Sequence, residues 1–171
     1  MLPAGVEDDD LGELTTQSFM GSALFERTFN EGMSLVEETA RYLDGRGRQE
    51  SRDLPRKAAL LYAGESMRVT TRLMQAASWL LIQRAVCDGE MRAEDAAGER
   101  YRLGSREICF GGREECVDLL PKTLQELLGR SDQLYRRIAR IEEALLNAAS
   151  TGKPAIQDHL DRLQQVFGGS L

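Results

Sequence analysis

From Thr16 onward the chain has a strong helical rhythm. Phe25, Phe29, Met33, Val36, Ala40 and Leu43 recur at spacings of three and four, with Glu26, Arg27, Glu31, Glu37, Glu38 and Arg41 largely between them. That pattern predicts a first amphipathic helix over about 17–43. It should stop in "LDGRGRQESRDLP", where Gly45 and Gly47 can take a left-handed cap and Pro55 cannot sit deep in a helix. Asp53 is placed to cap a second helix of about 54–88, with Pro55 in its first turn. One seam of this second helix runs Leu60, Ala63, Met67, Thr70, Met74, Ala77 and Leu81, widened by Leu73 and Leu80, and predicts packing between two other helices. A third helix of about 118–148, with Asp118 as its cap, carries Leu120, Leu124, Leu127, Ser131, Leu134, Ile138, Ile141 and Leu145 in strict four-three alternation.

Between the second and third helices the rhythm is lost. "MRAEDAAGERYRLGSREICFGGREECVDLLP" holds four glycines and a short helical stretch between Arg92 and Gly98. A connection of about 30 residues exceeds ordinary structureless loops, so it should pack on the helices or serve function, as a partly ordered flap. At the ends, "MLPAGVEDDDLGEL" is acidic and aperiodic and reads as a solvated arm. After Ala148, Thr151, Gly152 and Pro154 break the long helix, and Ile156, Leu160, Leu163 and Phe167 repeat the four-three spacing. A helix this short is marginal alone, so the tail should be mobile until its apolar edge is received. The expected organisation is an all-α protein: a flexible acidic arm (1–15), an antiparallel three-helix bundle (16–148) with a long loop between helices 2 and 3, and a mobile amphipathic C-terminal tail (149–171).

Composition narrows the function. The chain is 42% hydrophobic but only 6% aromatic, which favours long helices. A net charge of −6 argues against nucleic acid as the main partner, because phosphate binding needs clustered Lys and Arg. No run approaches a membrane span. Cys87, Cys109 and Cys116 have no paired spacing and follow no secretory segment, so a reducing cytoplasm and small buried thiols are expected. His159 is the sole histidine and falls in the tail among Asp158 and Asp161, which leaves no base for a nucleophilic triad. Cys109 and Cys116 lack the spacing and the histidine that zinc would want. "CFGGREEC" follows no strand, and the Glu37–Glu38 and Glu142–Glu143 pairs lack the histidine of a diiron site. No catalytic residue, cofactor site or metal site is expected.

What remains is surface. Opposite the leucine and methionine seam of the second helix, a helical wheel places Leu61, Arg68, Arg72, Gln75, Trp79 and Val86 on one stripe, with Ile82 at its margin and Gln83 beside it. Either the third helix or the flap covers this stripe, or Trp79, Ile82 and Val86, rimmed by Arg72 and Gln83, anchor a protein interface. The stretch with Arg46, Arg48, Arg52, Arg56 and Lys57 against Asp44, Glu50 and Asp53 is a solvated turn or a docking edge for an acidic partner. The tail residues Ile156, Leu160, Leu163 and Phe167 are candidates to dock as a helix in a groove.

Three stretches carry a family resemblance: "NEGMSLVEETARYLDGRGR", "LPRKAALLYAGES" and "ESMRVTTRLMQAASWLLIQRAVCDGEM". Together they resemble the RcdA family of alphaproteobacteria, the regulators of CtrA degradation. The likeness spans roughly residues 19–92 and continues more loosely through "LLPKTLQELLGRSDQLYRRIARIEEAL". It implies a homodimeric, non-catalytic three-helix-bundle adaptor for regulated proteolysis by ClpXP in cell-cycle control, cytoplasmic and associated with the cell pole. The implied partners are the protease with a CpdR-like priming factor, a PopA-like cyclic-di-GMP effector and protein substrates such as CtrA, with no direct nucleic-acid contact and no membrane insertion. A structural dimerisation or polar scaffold protein, and a DNA-associated regulator using Arg46 to Lys57, are the other classes the residues admit.

Overall fold

The computed structural model describes residues 22–111 and 116–151, and these are all-helical, with no strand among them. Three long helices dominate: α1 (Ala23–Asp44), α3 (Arg56–Cys87) and α6 (Lys122–Thr151). Three short ones are α2 (Arg46–Arg52), α4 (Ala93–Ala96) and α5 (Arg106–Phe110), joined by 3-10 turns at Glu99–Tyr101 and Val117–Leu119.

The helix ends follow local chemistry, though not always at the expected residue. Ser22 caps α1 by accepting the Phe25 amide at 3.3 Å. The "RGRQESR" segment is helical rather than looped, and Asp53 ends α2 while Pro55 is the residue that caps α3. Gly47 takes no left-handed cap. It lies buried inside α2 because a Cβ there would meet the Tyr62 hydroxyl at 2.5 Å and the Tyr42 ring at 2.8 Å, so only glycine admits the two tyrosines. Asp118 sits in a 3-10 turn, and the Gln125 amide donates to the Pro121 carbonyl at 3.1 Å at the start of α6.

The direction of the helices departs from an antiparallel bundle. α1 runs antiparallel to α3, since Glu26 meets Arg84 and Gly32 meets Leu80. It also runs antiparallel to α6, since Glu38 meets Arg130 and Glu31 meets Arg137. α3 and α6 are therefore parallel to each other. The long connection exists to make this possible: it must carry the chain back along the whole of α3 before α6 can start.

Its described residues form a strap packed on the helices. Gln75 accepts the Gly104 amide at 3.0 Å, Arg72 reaches the Cys109 carbonyl at 2.7 Å, and Lys57 lies 3.7 Å from the Cys116 sulfur. Later strap residues thus meet earlier residues of α3. From the other side, Glu142 accepts the Leu103 amide at 2.8 Å and pairs with Arg106 at 3.1 Å, while the Tyr135 hydroxyl donates to the Gly104 carbonyl. These bonds satisfy polar backbone that a loop packed on a core would otherwise leave unpaired.

The core lies among the three long helices. Phe25, Leu35 and Tyr42 come from α1, Val69, Leu73, Trp79 and Leu80 from α3, and Leu124, Leu127, Leu134, Tyr135 and Ile138 from α6. The α6 seam is largely as the spacing predicts, with Ile141 and Leu145 half-buried at its end. On α1 the buried line is Phe25, Thr28, Gly32, Leu35, Thr39 and Tyr42, so Ala40 is exposed and Phe29, Met33, Val36 and Leu43 only flank the core. Of the cysteines only Cys109 is buried; Cys87 and Cys116 are exposed.

Candidate interaction surface

α3 presents two faces, and the structure assigns them opposite to the sequence pattern. The side carrying Arg68, Arg72, Gln75, Trp79, Ile82, Gln83 and Val86 turns inward. Arg72, Trp79 and Gln83 are buried, and Gln75, Ile82, Val86 and Arg68 are half-buried. The physical reason is that Arg72 finds its partners distant in sequence. Besides the Cys109 carbonyl, Arg72 donates to the Leu128 carbonyl at 3.3 Å and pairs with Asp132 at 3.3 Å, so it clamps the strap onto α6. Burial pulls the Arg72 guanidinium below its usual range, and the Asp132 carboxylate opposes that shift. Arg68 pairs with the buried Glu65 at 2.8 Å. Beside these groups lies a polar cleft of about 410 Å³ bordered by Arg68, Arg72, Asp132 and Arg136. Arg136 in turn covers the Phe110 ring at 5.1 Å.

The seam expected to be core faces outward. Leu60 is 69% exposed, Met67 72%, Met74 64% and Leu81 53%. Ala63 and Thr70 between them are also exposed and Ala77 is half-buried. Gly64, Thr71, Ser78 and Ala85 run alongside, all small. Across these positions no residue is charged, in a chain where 29% of residues are. From Leu60 to Leu81 the strip is about 32 Å long at the helical rise.

Two details make the strip more apolar than its composition. The Thr70 hydroxyl donates to the Ser66 carbonyl at 2.8 Å and the Thr71 hydroxyl to the Met67 carbonyl at 2.9 Å. Both donors are therefore satisfied within their own helix and need no water. Nothing among the described residues requires Gly64, since a Cβ there would meet nothing within 4 Å. A glycine inside a helix costs about 0.5–1 kcal/mol relative to alanine.

The order of residues along the strip reads the same in both directions: Leu60, Ala63, Met67, Thr70, Met74, Ala77, Leu81. A two-fold axis at Thr70 and Thr71 would set Leu60 against Leu81, Met67 against Met74, and the small Ala63 and Gly64 against Ala77 and Ser78. An isologous interface requires that self-complementarity.

Other expected sites are placed less fully. The basic stretch forms the corner where α1, α2 and α3 meet, with Arg46, Arg48, Arg52, Arg56 and Lys57 all exposed. Arg46 pairs with Glu50 at 2.7 Å and Arg48 with Asp44 at 3.8 Å. Ile156, Leu160, Leu163 and Phe167, His159 and the acidic arm lie outside the described residues. Among the described residues no group of three His, Cys, Asp or Glu could hold a metal, and no helix is long and apolar enough to cross a membrane.

The exposed strip lies within the stretch on which the resemblance rests, and comparison with known proteins bears the resemblance out. Residues 16–167 match the model of a family described as Protein of unknown function (DUF1465). No curated protein matches the chain. Among solved structures, the crystal structure of RcdA from Caulobacter crescentus CB15 is 52% identical, with a TM-score of 0.62, and the match covers 75% of this chain and 96% of that one. Identity of that level over nearly all of the Caulobacter protein is more than a shared fold: this chain belongs to the RcdA family, within the sequences grouped as DUF1465.

Proposed function

We propose that the protein is a non-catalytic adaptor that promotes regulated proteolysis of cell-cycle regulators of the CtrA type by ClpXP, and that it acts as a homodimer. The support for the role is membership in the RcdA family at 52% identity to the Caulobacter protein. The support for the dimer is the uncharged outer strip of α3. Monomeric proteins seldom leave so long an apolar strip open, and a second copy with the same palindromic strip is its simplest cover. The ends of the two α3 strips coincide in antiparallel order, and the small residues beside Met67 and Met74 allow the helix axes to approach to the close end of the usual 8–10 Å range.

In this reading the dimer doubles every contact surface, and modest contacts by two copies raise the effective concentration of a delivered substrate. The polar edges of the strap, the basic corner and the C-terminal segment with Ile156, Leu160, Leu163 and Phe167 are the surfaces available to a CpdR-like priming factor, a PopA-like cyclic-di-GMP effector and the protease, in the cytoplasm at the cell pole. Reconstituted degradation of a CtrA-type substrate by ClpXP and its priming factor tests the role. Addition of the protein should accelerate substrate loss, and deletion of residues 150–171 should weaken that effect while leaving the helical signal nearly unchanged. No acceleration with any priming factor and effector present would reject the adaptor in favour of a dimeric scaffold, the reading that the strip alone would support.

A further inference from the structure

The charge of this chain is divided between two places. Glu7, Asp8, Asp9, Asp10 and Glu13 lie close together, and no Lys or Arg precedes Arg27. That arm carries five negative charges of a chain whose net charge is −6, so the remainder is nearly neutral. The opposite sign collects at the corner: between Arg41 and Lys57 stand six basic residues and three acidic ones. Arg46 and Arg48 have local carboxylate partners, whereas Arg41, Arg52, Arg56 and Lys57 are exposed and make no ion pair among the described residues.

We propose that the acidic segment Glu7–Glu13 of one copy docks on the basic corner of the other copy, across the antiparallel α3 pair. The inference rests on the dimer proposed above and names what that arrangement brings together. Within one chain the two charges are badly placed. The arm enters at Ser22, at the start of α1, and the corner lies at the far end of that 22-residue helix, about 33 Å away. The segment from Asp10 to Ser22 could bridge that gap only when nearly extended, at a limit of about 40 Å.

Across the dimer the gap closes. Ser22 lies beside the C-terminal end of α3, where Glu26 pairs with Arg84 at 2.6 Å. Antiparallel pairing about Thr70 and Thr71 sets Arg56 and Lys57 of the second copy opposite Ala85 and Arg84 of the first. Two helix spacings, about 20 Å in all, then separate the arm's point of entry from the partner's corner. That distance is about half the reach of the twelve residues from Asp10 to Ser22, so docking requires no full extension. Exposed ion pairs are individually weak, but a cluster of carboxylates against four cations that make no ion pair among the described residues gives a contact that is salt-sensitive and tethered. The same contact leaves the corner open to competition by an acidic partner, so the arm would act as a built-in competitor for it.

Zero-length carbodiimide coupling of the full-length protein tests this directly, because Lys57 is one of only three lysines and couples only to a carboxylate in contact with it. Unlabelled and ¹⁵N-labelled protein are mixed, allowed to exchange, coupled and digested. The expected product joins a peptide containing Glu7–Glu13 to the peptide of Lys57, with about half of the pairs carrying one label each, as random pairing of two copies requires. The yield should fall several-fold at high salt and in R52E/R56E, and the product should vanish in K57R, which keeps the charge but cannot couple. Pairs carrying a single label only would place the contact within one chain and overturn the proposal, as would coupling of the arm to Lys122 or Lys153 as efficiently as to Lys57. Sedimentation of the same samples separates the two readings. A dimer without the mixed pair overturns the arm contact alone, and a monomer overturns the dimer and the arm contact with it.

Discussion

Replacing Met74 by glutamate should separate two properties that the outer strip of α3 joins, association and folding. Met74 is 64% exposed in the single chain, so little of its burial is already used by the fold. Complete burial of a methionine side chain contributes about 1.5–3 kcal/mol, so covering the open part contributes about 1–2 kcal/mol. In a two-fold dimer the change occurs twice, and about 2–4 kcal/mol is lost before the desolvation of two carboxylates against apolar neighbours is added. At about 1.4 kcal/mol per factor of ten, the dimer should weaken at least about 30-fold. Within the chain nothing should be lost, since an exposed helical position tolerates glutamate. Sedimentation velocity over a dilution series reads the first effect, and circular dichroism the second. An M74E protein that dimerises with unchanged affinity, or one that loses its helical signal, would refute the reasoning.

Three further outcomes follow from the same geometry. G64A should stabilise the separated chain by about 0.5–1 kcal/mol, because the new methyl meets nothing, yet weaken the dimer by crowding the partner's Ala77; thermal unfolding in the M74E background and dilution in the wild type read the two opposite signs. R72A should destabilise the fold by about 3–5 kcal/mol, because it leaves Asp132 and the Cys109 and Leu128 carbonyls without their buried cation, and hydrogen exchange should rise first around residues 103–110. Thiol labelling of the native protein should modify Cys87 and Cys116 quickly and Cys109 only on unfolding, since burial both shields that thiol and pushes its ionisation upward; equal rates at all three would contradict the strap's packing.

The long helices were legible in the sequence because their periodicity is long and glycine and proline punctuate it, whereas the Ser22 cap was not anticipated. The predicted span of 118–148 falls within four residues of α6 at each end, since its outer face is charged and its leucine and isoleucine seam is not, and the two cannot be confused. α3 was legible as a helix but not in its orientation. Its outer strip has the composition of a core because another molecule is its proposed cover, and its inner face carries Arg68 and Arg72 because Glu65, Asp132 and two backbone carbonyls receive charge there. Polarity alone could not rank the two faces, because the partners of Arg72 lie 37 and 56 residues away in sequence. One signal was available: a seam free of charge, palindromic in order and furnished with an unexplained Gly64 suits a helix meeting its own copy better than a helix set between two different ones. The strap's short helices lack a period, so the sequence predicts only a partly ordered flap. Its order comes from Gln75, Glu142, Tyr135 and Arg72, which no local pattern announces. The same strap sets α6 parallel to α3, and its length of about 30 residues was the one clue that a simple antiparallel turn had been replaced.

Disulfide trapping at the proposed two-fold axis tests the central claim most directly. With Cys87 and Cys116 replaced by serine, T70C should form a covalent dimer within minutes of mild oxidation, because the axis sets the two Thr70 positions within bridging reach. M67C alone should not, because its two copies lie apart along the antiparallel pair, whereas a mixture of M67C and M74C proteins should cross-link to each other. If T70C cross-links no faster than a cysteine placed at exposed Ser34 on α1, the outer strip of α3 does not meet its own copy.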